Sequence, residues 1–260
     1  MNVIKVRKAL LSKTVLRGFF SVGGLIVLWQ IAASMKLPGF TAVPTPIEVW
    51  GVLADSISQA KFWDHWAASF ARVLSGFIAA QIIGIPLGLF MAMSRTFYAT
   101  SFPLLEIMRP IPPLAWVPAS IIFWPTTEAS IAFVIFLGAF FTVVINVIGS
   151  ARNIDVRYLR AAQSLGSRPM DIFLRIILPA VLPGIFIGMA VGMGITWEVV
   201  VAAEMIAGKS GLGYLTWSSY VGGNYPQIII GMISIGIAGY ISSSLIRLLG
   251  HYVTPWQRTS

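Results

Sequence analysis

The chain has 260 residues, 57% of them hydrophobic and 10% charged, with a mean hydropathy of +0.84. Soluble domains carry about 25% charged residues, and several windows here run about 18 residues or more with few charges, enough to cross a hydrocarbon layer. The composition excludes a soluble domain, and the lack of cysteine excludes disulfides and thiolate metal sites; an all-α integral membrane protein is expected.

A net charge of +9 invites a nucleic-acid reading. The basic residues instead cluster before the first apolar run (Lys5, Arg7, Lys8, Lys13, Arg17) and in one central loop (Arg152, Arg157, Arg160, Arg168, Arg175). They lack the interleaved aromatic platform that single strands need, so nucleic acid is not an expected partner. The apolar run Phe19–Met35 follows basic residues, as in a signal peptide. It has no convincing small-residue cleavage site, and further spans follow, so it reads as a retained first helix.

Six spans are expected, at about 19–35, 69–93, 101–124, 129–150, 179–206 and 228–250. With the N-terminus inside, the cytoplasmic pieces hold thirteen basic residues: the ten above with Arg95, Arg247 and Arg258. The outside pieces hold four, Lys36, Lys61, Arg72 and Lys209, which orients the chain with both termini cytoplasmic. Residues 1–68 comprise an N-terminal cytoplasmic segment, the first span and an external interfacial segment. Residues 69–250 form the core with a cytoplasmic loop at 152–178, and 251–260 form a cytoplasmic tail.

Segment 36–68 opens with Pro38, Gly39, Pro44 and Pro46 and then reads as a helix carrying Trp50, Trp63 and Trp66. Tryptophans beside a span commonly sit at headgroup level.

The third span contains Pro110, Pro112 and Pro113. Each lacks an N–H and displaces the carbonyl four residues back, freeing the carbonyls of Glu106, Met108 and Arg109. Such backbone is tolerated at membrane depth only inside protein or beside a water-filled cavity. Glu106 and Arg109 share a face at i, i+3 and can pair. The expected translocation path is this broken helix, with Arg109 helping an anion pass and Pro112, Pro113 and Trp116 beside it; a structural kink with a private ion pair is the alternative.

In the central loop Asp155 is placed to cap a helix over Val156–Leu165, and Gly166 to end it. Ser167 can cap a second short helix with Pro169 in its first turn. Met170, Phe173, Leu174 and Ile177 recur at helical spacing, and Pro179 marks entry to the fifth span. The small Ala161 and Ala162 would let another protein approach the backbone, so the loop reads either as a docking device or as an amphipathic interfacial loop.

In the fifth span Trp197, Val201 and Glu204 share a face, and Glu198 stands beside them. These residues are assigned to the path; because carboxylates repel an anion unless protonated or paired, Glu198 and Glu204 would hold helices together or gate the outer end. Gly184, Gly188 and Gly192 recur every four residues, and Gly84 and Gly88 do so in the second span, spacing that permits close helix approach.

Ala161, Ala162, Gly166, Ile176, Leu178 and Pro179 match the spacing of the "EAA" loop of binding-protein-dependent ABC importer permeases, which this segment resembles. The family's Glu position is Arg160, so any polar contact that Glu makes is not carried over. The run Arg109–Pro118 resembles the third-span signature of the subgroup importing nitrate, bicarbonate, taurine and alkanesulfonates. Trp197-Glu198 through Ala203-Glu204, followed by Gly211-Leu212-Gly213, is similar to its fifth span and exit.

The resemblance covers about residues 69–250. It implies a type I importer permease fold, a second permease copy, two cytoplasmic ATPases that bind ATP and Mg, and an extracytoplasmic binding protein in a bacterial inner membrane. Arg160, Ala161, Ala162, Gly166, Ser167 and Pro169 would form the ATPase-coupling surface. No catalytic constellation, metal site or cofactor is expected in this chain: Gly208-Lys209-Ser210 looks like the end of a phosphate loop, but Ala203 stands where its first glycine should be. His65 and His251 lie far apart. An ion-gradient transporter using Glu198 and Glu204 as proton sites, and a membrane scaffold, are the competing classes.

Overall fold

A computed structural model describes residues 13–256. Lys5, Arg7, Lys8 and Arg258, counted above among the cytoplasmic charges, lie outside the described residues. The described chain is helical: α1 Lys13–Ser34, α2 Pro46–Ile57, α3 Ala60–Met93, α4 Arg95–Met108, a 3₁₀ turn Pro113–Trp116, α5 Val117–Phe123, α6 Thr127–Arg152, α7 Val156–Ser164, α8 Pro169–Ala207, α9 Leu212–Val221 and α10 Tyr225–Val253. Four of them, α3, α6, α8 and α10, are long and apolar enough to span a membrane, with shorter apolar helices at Phe20–Ser34 and Pro113–Phe123. The six expected spans overlap these six pieces, and the third, 101–124, is divided between α4 and Pro113–Phe123.

Two compact units divide the chain, one of residues up to Phe62 with Thr216–Ile230, the other Trp63–Leu215 with Gly231–Ser260. In the first, Thr45 and Glu48 form a reciprocal capping box at the start of α2, and the Trp29 indole donates to the Pro44 carbonyl at 3.1 Å. Val49 and Ser56 are buried, while Ile47 and Trp50 stand out as an exposed apolar stripe. The single helix expected to carry three tryptophans is interrupted at Ser58–Gln59, so Trp63 and Trp66 belong to α3. Trp66 is half-buried and stacked on Phe70.

The second unit is built around α6. Its Ile131, Val134, Ile135, Ala139, Val143, Val144 and Val147 are almost wholly buried, and it packs extensively against α8. Glycines set that approach. A Cβ added at Gly188 would lie 2.7 Å from Asn146 Cβ, and one at Gly184 would collide with the Ser150 hydroxyl. Gly88 of α3 meets Val147 in the same way. At the other end of α4 the Arg152 guanidinium lies 3.7 Å above the Tyr98 ring and donates to its hydroxyl, tying α4 to the end of α6.

The expected short helix after Gly166 is not separate. From Pro169 the chain runs as one 39-residue helix to Ala207, passing through a π-turn at Phe173–Ile177. Pro179 cannot donate and crowds the carbonyl of Arg175, and the wider π-turn holds that residue. On the stretch leading into the turn Met170 is exposed and Ile172 buried, and within it Leu174 is exposed. Gly188→Val should therefore lower stability by about 1–3 kcal/mol through overpacking. Gly194→Ala, with open space around that site, should not lower the detergent unfolding midpoint; equal losses from both would refute glycine-limited packing.

Candidate functional site

The third span breaks where its prolines stand. α4 ends at Met108, residues 109–112 turn, and the chain resumes as a 3₁₀ turn from Pro113. The Met108 carbonyl, expected to be left free, accepts from the Ile111 N–H at 3.1 Å. Beside the break lies a cavity of about 410 Å³ lined by Arg109, Ile111 and Pro113, by α6 from Leu137 to Asn146, and by Ile195 of α8. At 1.5 Å per residue the α6 wall lies roughly 15–28 Å from Thr127, near the middle of a bilayer-spanning helix.

Arg109 is half-exposed. Its nearest carboxylate, Glu106, is 3.6 Å away and itself half-exposed, beyond hydrogen-bond range. Among the described residues the Arg109 guanidinium makes no hydrogen bond, so its five N–H groups are open to a ligand or water. Two polar residues absent from the expected site face the same cavity. Thr142 donates its hydroxyl to the Gly138 carbonyl at 3.1 Å, and Asn146 donates an amide N–H to the Thr142 carbonyl at 2.8 Å. Their i, i+4 spacing inside an otherwise apolar run was the available signal.

A second arginine behaves oppositely. Arg72 was counted with the outside connections, yet it sits in α3 and is buried. Its Nε and Nη2 grip both Glu128 oxygens at 2.6 Å, Nη1 donates to Glu204 at 2.8 Å and the Ser210 carbonyl at 2.6 Å, and Nη2 also reaches the Ser210 hydroxyl at 3.1 Å. All five donors are taken. Glu204 is fully buried and further accepts from Ser69 and from the Gly213 N–H, while the Leu212 N–H donates to Ser69 and the Gly211 N–H to His65. Gly211, at φ +114, lets the chain fold back over the Glu204 carboxylate.

Most of the other residues assigned to the path lie away from the cavity beside Arg109. Glu204 does not line it: Arg72, Ser69 and the Gly213 N–H all donate to its carboxylate, tying α8 to α3. Trp197 is core, edge-on to Phe70 and bonded to Ser242 at 3.3 Å, and Trp116 packs half-buried against that core. Pro113 lines the cavity; Pro112 immediately precedes it in extended conformation. Glu198 is exposed on α8, three residues beyond Ile195.

In the loop Asp155 accepts from the Arg157 N–H at 2.9 Å, capping α7, and the adjacent Arg157 guanidinium holds its carboxyl below the usual range. Gly166, at φ +76, ends the helix with paired bonds Ser167 N–H to Ala162 and Gly166 N–H to Gln163. Ser167 caps nothing; Arg168 holds the position before Pro169, and no side chain supplies the bond. Arg160, Ala161, Gly166, Ser167 and Pro169 are exposed, and Ala162 is half-buried.

A multi-pass helical membrane protein with a mid-membrane cavity and an ordered polar loop is the class these features define. The chain belongs to the family of binding-protein-dependent transport system inner membrane components, whose model matches residues 84–259. It is 32% identical over 256 residues to the nitrate import permease protein NrtB of Leptolyngbya laminosa, covering 95% of this chain and 91% of that one. It is 31% identical over 251 residues to the taurine transport system permease protein TauC of Escherichia coli, covering 95% and 91%. An inward-facing structure of the MetNI methionine ABC transporter shares the fold, with TM-score 0.64, 21% identity and coverage of 76% of this chain and 99% of that one. The fold is that of a type I ABC importer permease, and the chain is the permease subunit of an ATP-driven ABC importer.

The two arginine environments make a stability prediction. Arg72→Met strands a buried carboxylate and should cost about 3–5 kcal/mol. Glu128→Gln acts on an exposed partner and should cost less than about 1 kcal/mol. Chemical unfolding of the purified chain in detergent measures both, and equal costs would rule out Glu204 as the anchored side of the cluster.

Proposed function

We propose that two copies of this chain form the membrane pathway of an importer for a small oxyanion in a bacterial inner membrane. Two cytoplasmic ATPases bind ATP and Mg, and an extracytoplasmic protein delivers the substrate. Nitrate, bicarbonate, taurine and alkanesulfonate are the candidates; nitrate and taurine are named for the two relatives above. The observation that carries this reading is the loop from Asp155 to Pro169. Its helix is closed at both ends by local chemistry, and it presents Tyr158 and Leu165 to the outside, Leu165 at 85% exposure. The density of arginines around it supports a cytoplasmic position and cytoplasmic termini.

The second copy is supported by charge. Half-exposed Glu106 and Arg109 and exposed Glu198 lie within membrane-spanning segments, where an ionised side chain faces protein or water and not lipid. A second copy over this face would shield them and leave a wet route past Arg109. The binding protein would dock on the outer segments, including 36–68 and 207–227. ATP-driven closure of the ATPases would then move loop 152–178 and alternate the bundle between inward-open and outward-open states.

The test is uptake of labelled nitrate, bicarbonate, taurine and an alkanesulfonate in a deletion strain and its complemented parent. One substrate should be lost selectively, restored by this chain and abolished by ATP depletion. Gly166→Leu, strained at positive φ, should cut uptake more than tenfold and release the ATPases while the chain remains inserted. Uptake that outlasts ATP while an ion gradient persists would instead establish a secondary transporter.

A further inference from the structure

We infer that the cavity beside Arg109 holds an oxyanion carrying a separate hydrogen-bond donor, an aminosulfonate type of ligand, with Arg109 on the oxyanion and Thr142 on the donor. The inference rests on the reading of this cavity as part of the import route. The two walls differ in chemistry. Arg109 offers only donors, and none is spent among the described residues, in contrast to Arg72, whose five are all used. The α6 wall is weighted the other way. Thr142 has committed its single hydrogen to the Gly138 carbonyl, so it presents lone pairs to the cavity.

The orientation of Asn146 is fixed by the same logic. Its Nδ2 lies 2.8 Å from the Thr142 carbonyl; a flipped amide would set oxygen against oxygen, so the carboxamide oxygen is left as an acceptor and one N–H remains. Charge agrees with the hydrogen bonding. The Arg109 positive charge is balanced by Glu106 at 3.6 Å, and Glu198 lies one helical turn beyond the lining residue Ile195. A bare monoanion meets a locally neutral pair and an acceptor wall, whereas a ligand with an oxyanion at one end and an ammonium or hydroxyl at the other satisfies both.

The chain contains no cysteine, so one introduced thiol is this chain's single labelling site, and ATPases freed of cysteine keep the signal to the cavity. Ile145→Cys, or Ile195→Cys if the first complex fails to transport, is labelled with a thiol reagent in the importer assembled with its ATPases in nanodiscs. Labelling should block ATP-driven uptake. Taurine should protect the thiol at about tenfold lower concentration than ethanesulfonate, which lacks only the ammonium, as one hydrogen bond from a charged donor can supply. Thr142→Val should bring the two to equality, and Arg109→Gln should remove protection by both.

Ethanesulfonate or nitrate protecting as well as taurine, or a preference that survives Thr142→Val, overturns the assignment of the α6 wall and leaves the route standing. Labelling that leaves uptake intact overturns the route, and the inference with it.

Discussion

In a hydrocarbon layer a guanidinium has no water to fall back on, so its five N–H groups must be met by protein or must face a wet cavity. Arg72 and Arg109, both in the second unit, illustrate the two solutions. Arg72 is closed off by Glu128, Glu204 and Ser210, while Arg109 faces a cavity with no hydrogen bond among the described residues. The same residue type thus serves as a joint in one place and as an open contact in the other. The difference lies in the backbone around each. Arg72 sits in an unbroken helix against a turn that folds back onto it, whereas Arg109 sits where three prolines prevent the helix from closing.

α6 connects these two environments. Glu128 in its first turn reaches Arg72, and its middle forms both the packed centre of the unit and one wall of the cavity. A helix can do both because its faces are chemically separate. Valines and isoleucines fill the buried sides, and the glycines of α8 and α3 let neighbouring backbones come close. Thr142 and Asn146 occupy the remaining side and bond back to carbonyls of their own helix, which keeps them satisfied at membrane depth without another chain. Asn146 also depends on that packing, since its side chain fits against Gly188, where a Cβ would displace it.

What could be read from the sequence was the chemistry that acts over a few residues. Asp155 and Gly166 bound a helix by capping and by positive φ, both local effects, and the proline cluster breaks the third span for the same reason. Glycine spacing pointed to close packing because four-residue repeats mark one helix face. What could not be read is which face points where. α8 is apolar nearly all round, so helical spacing could not separate Trp197 and Glu204, which are core, from Ile195, which lines the cavity. Arg72 was counted as a connector charge because its partners are 56 and 132 residues away. Nothing short-range encodes such an encounter. The π-turn, too, depends on how Pro179 is relieved within a longer helix.

The continuity of α8 has a mechanical consequence. The helix starts at Pro169, in the loop proposed to meet the ATPases, and ends beside Glu204, which Arg72 anchors to α3. Its 39 residues make a rod roughly 58 Å long. A displacement applied at the loop therefore needs no chain of side-chain contacts to reach the far end; it travels along hydrogen-bonded backbone. Two features would control what arrives. The π-turn at Phe173–Ile177 is the place where helical bonding is already widened, so bending concentrates there. The Glu204 anchor holds the opposite end, so the rod's response would be greatest between these points. That stretch contains Gly184, Gly188 and Ile195, the residues that set the distance to α6 and form one edge of the cavity.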